Sequence, residues 1–192
     1  MVSSNVAQLV LAGRPSEMIS FLPGQYVHLS IPGTEEYRSY SFANASSDAK
    51  EYMFYIKLIE GGGMSKYLSN AAQIGDEILI SGPFGRFYLR PVERPVLLLA
   101  GGTGLAPMLS ILDTMVMNNK TEFPVQLLYG ANRPEELFGM EQISTYKERG
   151  LNFNVEYSVV EEGSDWSGSI GHVTDLLRDD LLNEGNIDIY LC

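Results

Sequence analysis

Residues Pro95–Met117, PVLLLAGGTGLAPMLSILDTMVM, decide how this 192-residue chain folds. The five apolar residues from Val96 to Ala100 predict a strand that is buried on both faces, as in a parallel sheet. Three glycines in four positions follow, and apolar residues then recur at helical spacing, which predicts a helix over Leu105–Met117. A strand, a glycine turn and a helix in this order direct backbone N–H groups and the positive end of the helix at a bound phosphate.

The glycine turn has a pattern of its own. Gly102, Gly104 and Pro107 depart from the dinucleotide fingerprint G-x-G-x-x-G. That fingerprint also requires an acidic residue about 20 positions further on, at the end of the next strand. Glu122 has roughly this spacing but precedes the next strand instead of ending it. Pro107 fits the first turn of a helix, where its missing N–H costs little. Because many glycine turns bind nothing, the stretch by itself leaves a purely structural turn open as the alternative.

Charge and cysteine content exclude several classes of function. The sequence has 24 acidic and 13 basic residues, so nucleic acid, which binds to basic faces, is not expected as a partner. The single cysteine, Cys192, excludes an internal disulfide and a four-thiolate iron–sulfur cluster made by this sequence alone. No His, Cys and carboxylate cluster has metal-ligand spacing, so no metal is predicted. Neither a bilayer-spanning apolar run nor an export signal is visible, so we expect a cytoplasmic protein without membrane contact.

Two patterns of predicted elements divide the chain into residues 1–90 and residues 95–192. The first part has short strands between Gly and Pro turns, which predicts a small closed antiparallel β-barrel with one short helix at Met64–Asn70. The predicted strands are Val6–Leu11, Gln25–Ile31, Tyr37–Ala43, Tyr52–Ile59 and Glu77–Ile80. Two prolines in residues 90–95 predict a linker.

Strands alternate with helices in the second part, which predicts an α/β domain around a parallel sheet. The predicted strands are Val96–Ala100, Val125–Tyr129, Phe153–Val160 and Ile187–Leu191. The predicted helices are Leu105–Met117, Pro134–Arg149 and Val173–Leu182. Because a doubly wound domain would not naturally stop at a strand end such as Cys192, we expect the chain to be truncated there.

Seven motifs follow one another along both parts. They are Phe21–Tyr26, Arg38–Ser41, Gly63–Ser65, Gly82–Gly85, Gly101–Pro107, Tyr129-Gly130 with Arg133, and Tyr190–Cys192. In this order they resemble the ferredoxin–NADP reductase superfamily, and more narrowly the reductase components of bacterial multicomponent oxygenases, such as soluble methane monooxygenase and benzoate dioxygenase. The resemblance covers essentially the whole chain and implies an FAD-binding barrel over 1–90 and an NAD-binding domain over 95–192.

For the first part, the resemblance implies a role for each residue of Arg38-Ser39-Tyr40-Ser41. Arg38 would hold the FAD diphosphate, because guanidinium pairs with phosphate in bidentate fashion. Tyr40 would stack on the isoalloxazine ring, and Ser41 would hydrogen-bond the flavin N5 atom, with Ser39 between them in the motif. Taken alone, these four residues also fit an ordinary strand with a salt-bridged arginine.

A second FAD contact is expected where Gly61-Gly62-Gly63 leads into a short helix. Backbone N–H groups at Gly63 and Met64 would meet the second phosphate charge, and Ser65 would cap the helix or donate a hydrogen bond. A flexible hairpin loop is the alternative for these glycines. Ile56 and Lys57 lie just upstream, on the strand that in the resembling family lines the flavin.

For the second part, the resemblance assigns the turn with Gly102, Thr103, Gly104, Leu105 and Pro107 to the diphosphate and ribose of a nicotinamide nucleotide. Tyr129 and Gly130 end the next strand, where α/β sheets bind ligands. Arg133 either faces a phosphate or pairs with Glu136, which follows it by three positions.

The expected nucleotide is NADH. Ser158 is followed within four residues by the carboxylates Glu161 and Glu162, which would repel the 2′-phosphate of NADPH. Cys192 matches the family cysteine near nicotinamide C4, where it orders the ring and forms no covalent intermediate.

The resemblance implies hydride transfer from NADH to FAD. Electrons would then pass to a plant-type iron–sulfur ferredoxin module, expected on the parent polypeptide before Met1, and on to an oxygenase component. The alternatives are a reductase of the same fold that feeds a haem domain, and a non-catalytic flavin- or nucleotide-binding redox sensor.

Overall fold

The computed structural model describes residues 1–13, 18–45, 51–119, 122–163, 165–182 and 185–192. Its first part is antiparallel β-structure, as the sequence predicts. The strands are β1 (Val6–Ala12), β2 (Tyr26–Ser30), β3 (Tyr37–Ser41), β4 (Glu51–Lys57) and β5 (Leu79–Phe84). One sheet pairs β1 with β4, and the other places β2 between β3 and β5. The ladder of described strands is therefore not closed as one barrel, although the Ala43 N–H donates across to the Met53 carbonyl at 2.8 Å.

The second part is a parallel sheet, also as predicted. Its strands are β6 (Val96–Gly101), β7 (Val125–Ala131), β8 (Phe153–Val159), β9 (Ser169–Ile170) and β10 (Asp188–Leu191). Among the described residues the order is β10-β6-β7-β8-β9, with every neighbouring pair parallel. The α-helices among the described residues are α1 (Gly63–Asn70), α2 (Leu105–Met117), α3 (Met140–Glu148) and α4 (Asp179–Leu182). Helix α2 has the bounds predicted from the sequence.

Three predicted elements are wrong in extent. The predicted helix Pro134–Arg149 is divided into three pieces: a 3₁₀ turn (Pro134–Glu136), an extended link and helix α3. The helix is interrupted because Gly139 has a φ of +71°. The predicted helix Val173–Leu182 is a 3₁₀ turn, Val173–Leu176, and α4, separated by the extended residue Leu177. The strand predicted at Glu77–Ile80 is β5, which begins two residues later and ends four residues later, at Phe84. Strand β9 was not predicted, since two residues carry no periodicity.

The break before α3 has a packing reason. Leu137 and Phe138 leave the helical path and bury their side chains, with Phe138 only 2% exposed. The Phe138 ring lies 4.6 Å from the Tyr55 ring of β4, centroid to centroid. Burial of these two side chains outweighs the hydrogen bonds that a continuous helix would have added.

One apolar cluster joins the two parts of the chain. Val6, Ala43 and Tyr55 from the antiparallel part belong to the same buried cluster as helix α2. Every residue from Leu105 to Leu112 is buried, where the sequence predicted a single apolar face. The reason is that α2 contacts both parts: Ser110, fully buried, donates a 2.8 Å hydrogen bond to the Asn44 carbonyl.

Gly139→Ala tests the broken helix. At a φ of +71° a Cβ is strained, and it would lie 3.2 Å from the Leu105 Cδ2 atom. We expect the free energy of unfolding to fall by about 1–2 kcal/mol in urea denaturation. Ser144→Ala within α3 should change the free energy by less than about 0.5 kcal/mol. A continuous helix through position 139 predicts the opposite sign, a gain of about 1 kcal/mol for Gly139→Ala.

Candidate functional site

A cavity of about 290 Å³ opens at the carboxyl edge of the parallel sheet. Its wall combines the turn after β6 with the end of β7, which is where open α/β sheets bind ligands. The lining residues are Lys57, Gly101, Gly102, Thr103, Gly130, Ala131, Asn132, Glu136, Val160, His172 and Val173. Of the residues predicted from the sequence, Gly102, Thr103, Gly130 and Lys57 are thus brought together.

The turn after β6 presents backbone to this cavity. It is a 3₁₀ turn, Gly102–Gly104, that runs directly into α2, and no side chain caps either element. A Cβ on Gly102 would meet no atom within 4 Å, so the space beside this glycine is open. The amino end of a 13-residue helix beside open space suits an anionic group such as a diphosphate.

Gly104 fulfils a different need. A Cβ at this position would lie 2.4 Å from the carbonyl oxygen of Cys192, so only glycine lets the end of β10 lie against the turn. Two backbone hydrogen bonds fix that end: Gly101 N–H to the Cys192 carbonyl at 2.9 Å and Cys192 N–H to the Leu99 carbonyl at 3.0 Å. The structure thus places Cys192 beside the glycine turn, and its predicted position near nicotinamide C4 stays a prediction.

Three predicted residues of this region have buried side chains and do not line the cavity. Leu105 and Pro107 are buried in the first turn of α2, and Tyr129 is fully buried with its hydroxyl accepting from the Phe138 N–H at 3.3 Å. Burial raises the pKa of Tyr129. Their contribution is to hold the backbone of the turn and of β7 in place.

Arg133 forms an ion pair that the sequence did not predict. Its Nε donates to the Glu161 carboxylate at 2.7 Å, across the ends of β7 and β8. Glu136 instead lies 3.8 Å from the Lys57 ammonium of β4, at the cavity wall. Of the two alternatives for Arg133, the pair with Glu136 is not formed, because the segment after β8 brings Glu161 to the guanidinium. The contact of Arg133 with a phosphate stays a prediction.

A second cavity, of about 280 Å³, lies in the antiparallel part. Its lining brings Arg38 of β3 together with Gly63 and Met64 at the start of α1, as the sequence predicts. The other lining residues are Leu29, Ile31, Thr34, Glu36 and Tyr37. Helix α1 has no side-chain cap, and the Arg38 guanidinium is exposed, so cation and helix terminus together suit a phosphate group.

The motif in β3 places its residues alternately on two faces. Arg38 and Tyr40 are in register with the buried Leu29 and Val27 of β2, whereas Ser39 and Ser41 are in register with the opposite face. Tyr40 is half-buried, and desolvation raises its pKa while the nearby Arg38 lowers it. Ser39 forms a 3.0 Å hydrogen bond with the His28 ring. The roles of Tyr40 and Ser41 toward a flavin ring stay predictions.

The structure gives three residues, Ser65, Ile56 and Lys57, contacts other than those predicted from the sequence. Ser65 does not cap α1, because its hydroxyl accepts from the Ile59 N–H at 3.0 Å within the preceding loop. Ile56 is 1% exposed in the core, and Lys57 lines the cavity at the sheet edge instead of the one beside Arg38.

Sequence reasoning missed most of the other residues in these walls, and three of them illustrate why. Asn132 and His172 line the sheet-edge cavity, and Glu36 lines the cavity beside Arg38. The position of Asn132 directly after β7 was a usable signal, since ligands bind beyond strand ends. His172 follows a segment too short to predict, and Glu36 looks like one of many surface carboxylates.

Within the described ranges, no three His, Cys, Asp or Glu side chains are grouped so that they could hold a metal ion. No helix in those ranges has the length and apolar character needed to cross a bilayer.

The Cys192 thiol offers a test of the sheet-edge geometry. Desolvation raises its pKa, so the folded protein holds the neutral thiol to higher pH than the unfolded chain does. We expect alkylation by iodoacetamide to show a higher pH midpoint in the folded protein than in the same protein unfolded in urea. A folded midpoint equal to or below the unfolded one would contradict the position given to Cys192.

Comparison with known proteins matches both parts of the chain. The family described as "Oxidoreductase FAD-binding domain" matches residues 1–88, and "Oxidoreductase NAD-binding domain" matches residues 98–192. The chain is 38% identical over 193 residues to the anthranilate 1,2-dioxygenase electron transfer component of Acinetobacter baylyi, covering 100% of this chain and 56% of that protein. It is 37% identical over 185 residues to methane monooxygenase component C of Methylosinus trichosporium, covering 94% and 54%.

A solved structure is also similar. An Amycolatopsis cytochrome P450 reductase, GcoB, superposes with a TM-score of 0.88 at 26% identity, covering 100% of this chain and 58% of that one. The chain thus spans little more than half the length of the relatives and the structure that it matches.

Proposed function

The chain belongs to the ferredoxin reductase-like oxidoreductases that join an FAD-binding domain to an NAD-binding domain, and from this premise we propose that it is the NADH-oxidising electron-transfer part of an oxygenase system. The observation that carries the proposal is the pair of cavities, each beside a glycine-led, uncapped helix start, on two domains with one shared core. Bound FAD and NADH would supply the redox chemistry by hydride transfer from nicotinamide to flavin.

The chain's own residues bind and orient the two cofactors. Arg38 and the start of α1 at Gly63 and Met64 would hold the FAD diphosphate. Tyr40, on the same face of β3 as Arg38, would pack against the flavin ring. Ser41 lies on the other face of β3 but is its last residue, and from the strand end it would donate to N5. The fit rests on an exposed guanidinium next to an uncapped helix terminus.

The sheet edge would bind NADH. The turn Gly102–Gly104 and the amino end of α2 would accept the diphosphate. Gly130 lines the same cavity at the end of β7, where the absence of a side chain lets Val173 and Ser158 pack against it. Cys192, a neutral thiol held against Gly104, would order the nicotinamide without attacking it. Lys57 carries a charge from the FAD-binding domain to the wall of this cavity.

An iron–sulfur ferredoxin module is the proposed electron acceptor, and an oxygenase component the final partner. Support comes from the relatives named as a dioxygenase electron transfer component and a methane monooxygenase component. Similarity to GcoB, named a cytochrome P450 reductase, favours a haem protein as the second candidate acceptor. A protein that oxidises NADH in this way is expected in the cytoplasm.

A reduction assay tests the proposal. The purified chain should take up FAD, turn yellow and bleach when NADH is added without oxygen. The reduced protein should then pass electrons to a plant-type ferredoxin faster than to a cytochrome. Faster reduction of the cytochrome would favour the haem alternative. Protein that binds FAD but is not bleached by NADH would favour a redox sensor over an enzyme.

Nucleotide choice has its own test. Glu161→Gln removes one carboxylate at the proposed ribose site and frees Arg133, whose pKa that carboxylate raises. Because both side chains are more than half exposed, we expect a modest change: NADP⁺ should bind about three- to tenfold tighter by calorimetry.

The matched control for this substitution is Glu141→Gln in α3. It should leave both NAD⁺ and NADP⁺ binding unchanged, and Glu161→Gln should leave NAD⁺ binding within about twofold. Equal tightening of NAD⁺ and NADP⁺ by Glu161→Gln would contradict discrimination against the 2′-phosphate at this position.

A further inference from the structure

The Glu36 carboxylate lies in the cavity beside Arg38, at the position proposed for a phosphate of FAD. Its Oε2 atom lies 2.8 Å from the place that a Cβ on Gly63 would take, at the first residue of α1. The same oxygen lies 3.7 Å from the Arg38 guanidinium. We propose that Glu36 is a built-in anion that competes with the FAD diphosphate for Arg38 and for the start of α1, and so weakens FAD binding. This inference rests on the proposed function.

Carboxylate and phosphate are recognised by the same two groups. A guanidinium pairs with either, and the positive end of a helix attracts any anion. Helix α1 has no side-chain cap and no acidic residue in its own first turn. The Ser65 hydroxyl is engaged with the Ile59 N–H. The carboxylate at the start of α1 is therefore supplied from outside the helix, by Glu36.

The arrangement has a direct consequence for ligand binding. A doubly negative diphosphate placed between Arg38 and α1 meets a like charge at Glu36, and like charges in a shared cavity repel. The Glu36 side chain is 67% exposed, so it can swing into solvent without loss of packing. When FAD binds, Glu36 loses its interactions with Arg38 and with the start of α1. The free energy of FAD binding is less favourable by the free energy of those lost interactions.

The neighbouring Glu35 provides a matched control. It is exposed like Glu36, carries the same charge and precedes it directly in the chain. It does not line the cavity. A general effect of net charge on FAD would act through both residues alike, whereas competition at the phosphate position acts through Glu36.

The experiment compares Glu36→Gln and Glu35→Gln in the full chain. FAD is titrated into apoprotein and the dissociation constant is followed by flavin fluorescence. We expect Glu36→Gln to bind FAD about three- to tenfold tighter and Glu35→Gln to stay within about twofold of wild type. High salt should reduce the gain, since the side chains are exposed.

Two further measurements separate competition from general stabilisation. The apoprotein of Glu36→Gln should melt at the same or a lower temperature than wild type, because the helix loses its anion. In the Arg38→Ala background, Glu36→Gln should yield a smaller gain in FAD affinity, because one of the contested groups is absent.

The outcomes distinguish this inference from the function on which it rests. FAD binding by wild type, with Glu36→Gln unchanged or weaker, overturns the competition and leaves the proposed function intact. Equal tightening by Glu36→Gln and Glu35→Gln also overturns it. Failure of both wild type and Glu36→Gln to bind FAD overturns the proposed function and the inference together.

Discussion

A buried apolar seam packs the two domains against each other and thereby positions both candidate sites. Helix α2 is buried on every side from Leu105 to Leu112, because one side packs on the parallel sheet and another meets the antiparallel part, where Ser110 donates to the Asn44 carbonyl. The Tyr55–Phe138 ring contact continues the same seam. Because α2 also begins at the glycine turn, the element that would hold one cofactor is packed against the domain that would hold the other. Rigid packing of this kind replaces a chance encounter of two cofactors with a fixed geometry.

Both proposed cofactor sites solve the same electrostatic problem. The chain has a net charge of −11, yet each site must accept a diphosphate. Neither cavity is lined by a large basic patch. Each lies at the amino end of a helix that follows glycine and has a Lys or Arg side chain in its wall, Arg38 in one and Lys57 in the other. Acidic side chains accompany both cations, Glu36 at the first and Glu136 at the second. At the first of these sites, the competition proposed for Glu36 would lower the affinity for a bound anion.

The fold class and the glycine turn could be predicted from sequence because both depend on local pattern. Five apolar residues, three glycines and a helical repeat specify β6, the turn and α2 without reference to the rest of the chain. The break at Gly139 could not be predicted in this way, since its cause is the contact of Phe138 with Tyr55, more than 80 positions away. Ion-pair partners could not be predicted from sequence for the same reason. Arg133 pairs with Glu161 only because β7 and β8 are neighbours in the sheet. The type of cofactor can be predicted from sequence motifs. A residue proposed to adjust cofactor affinity, such as Glu36, can be identified only from its position in the folded structure.

A crystal structure of the protein with FAD and NAD⁺ bound is the most direct test of the central claim. We expect the FAD diphosphate between Arg38 and the start of α1, and the NAD⁺ diphosphate at Gly102–Gly104. The flavin and nicotinamide rings should then face each other in van der Waals contact between Tyr40 and Cys192. Diphosphates bound away from these two helix starts, or rings held apart with no shared contact, would contradict it.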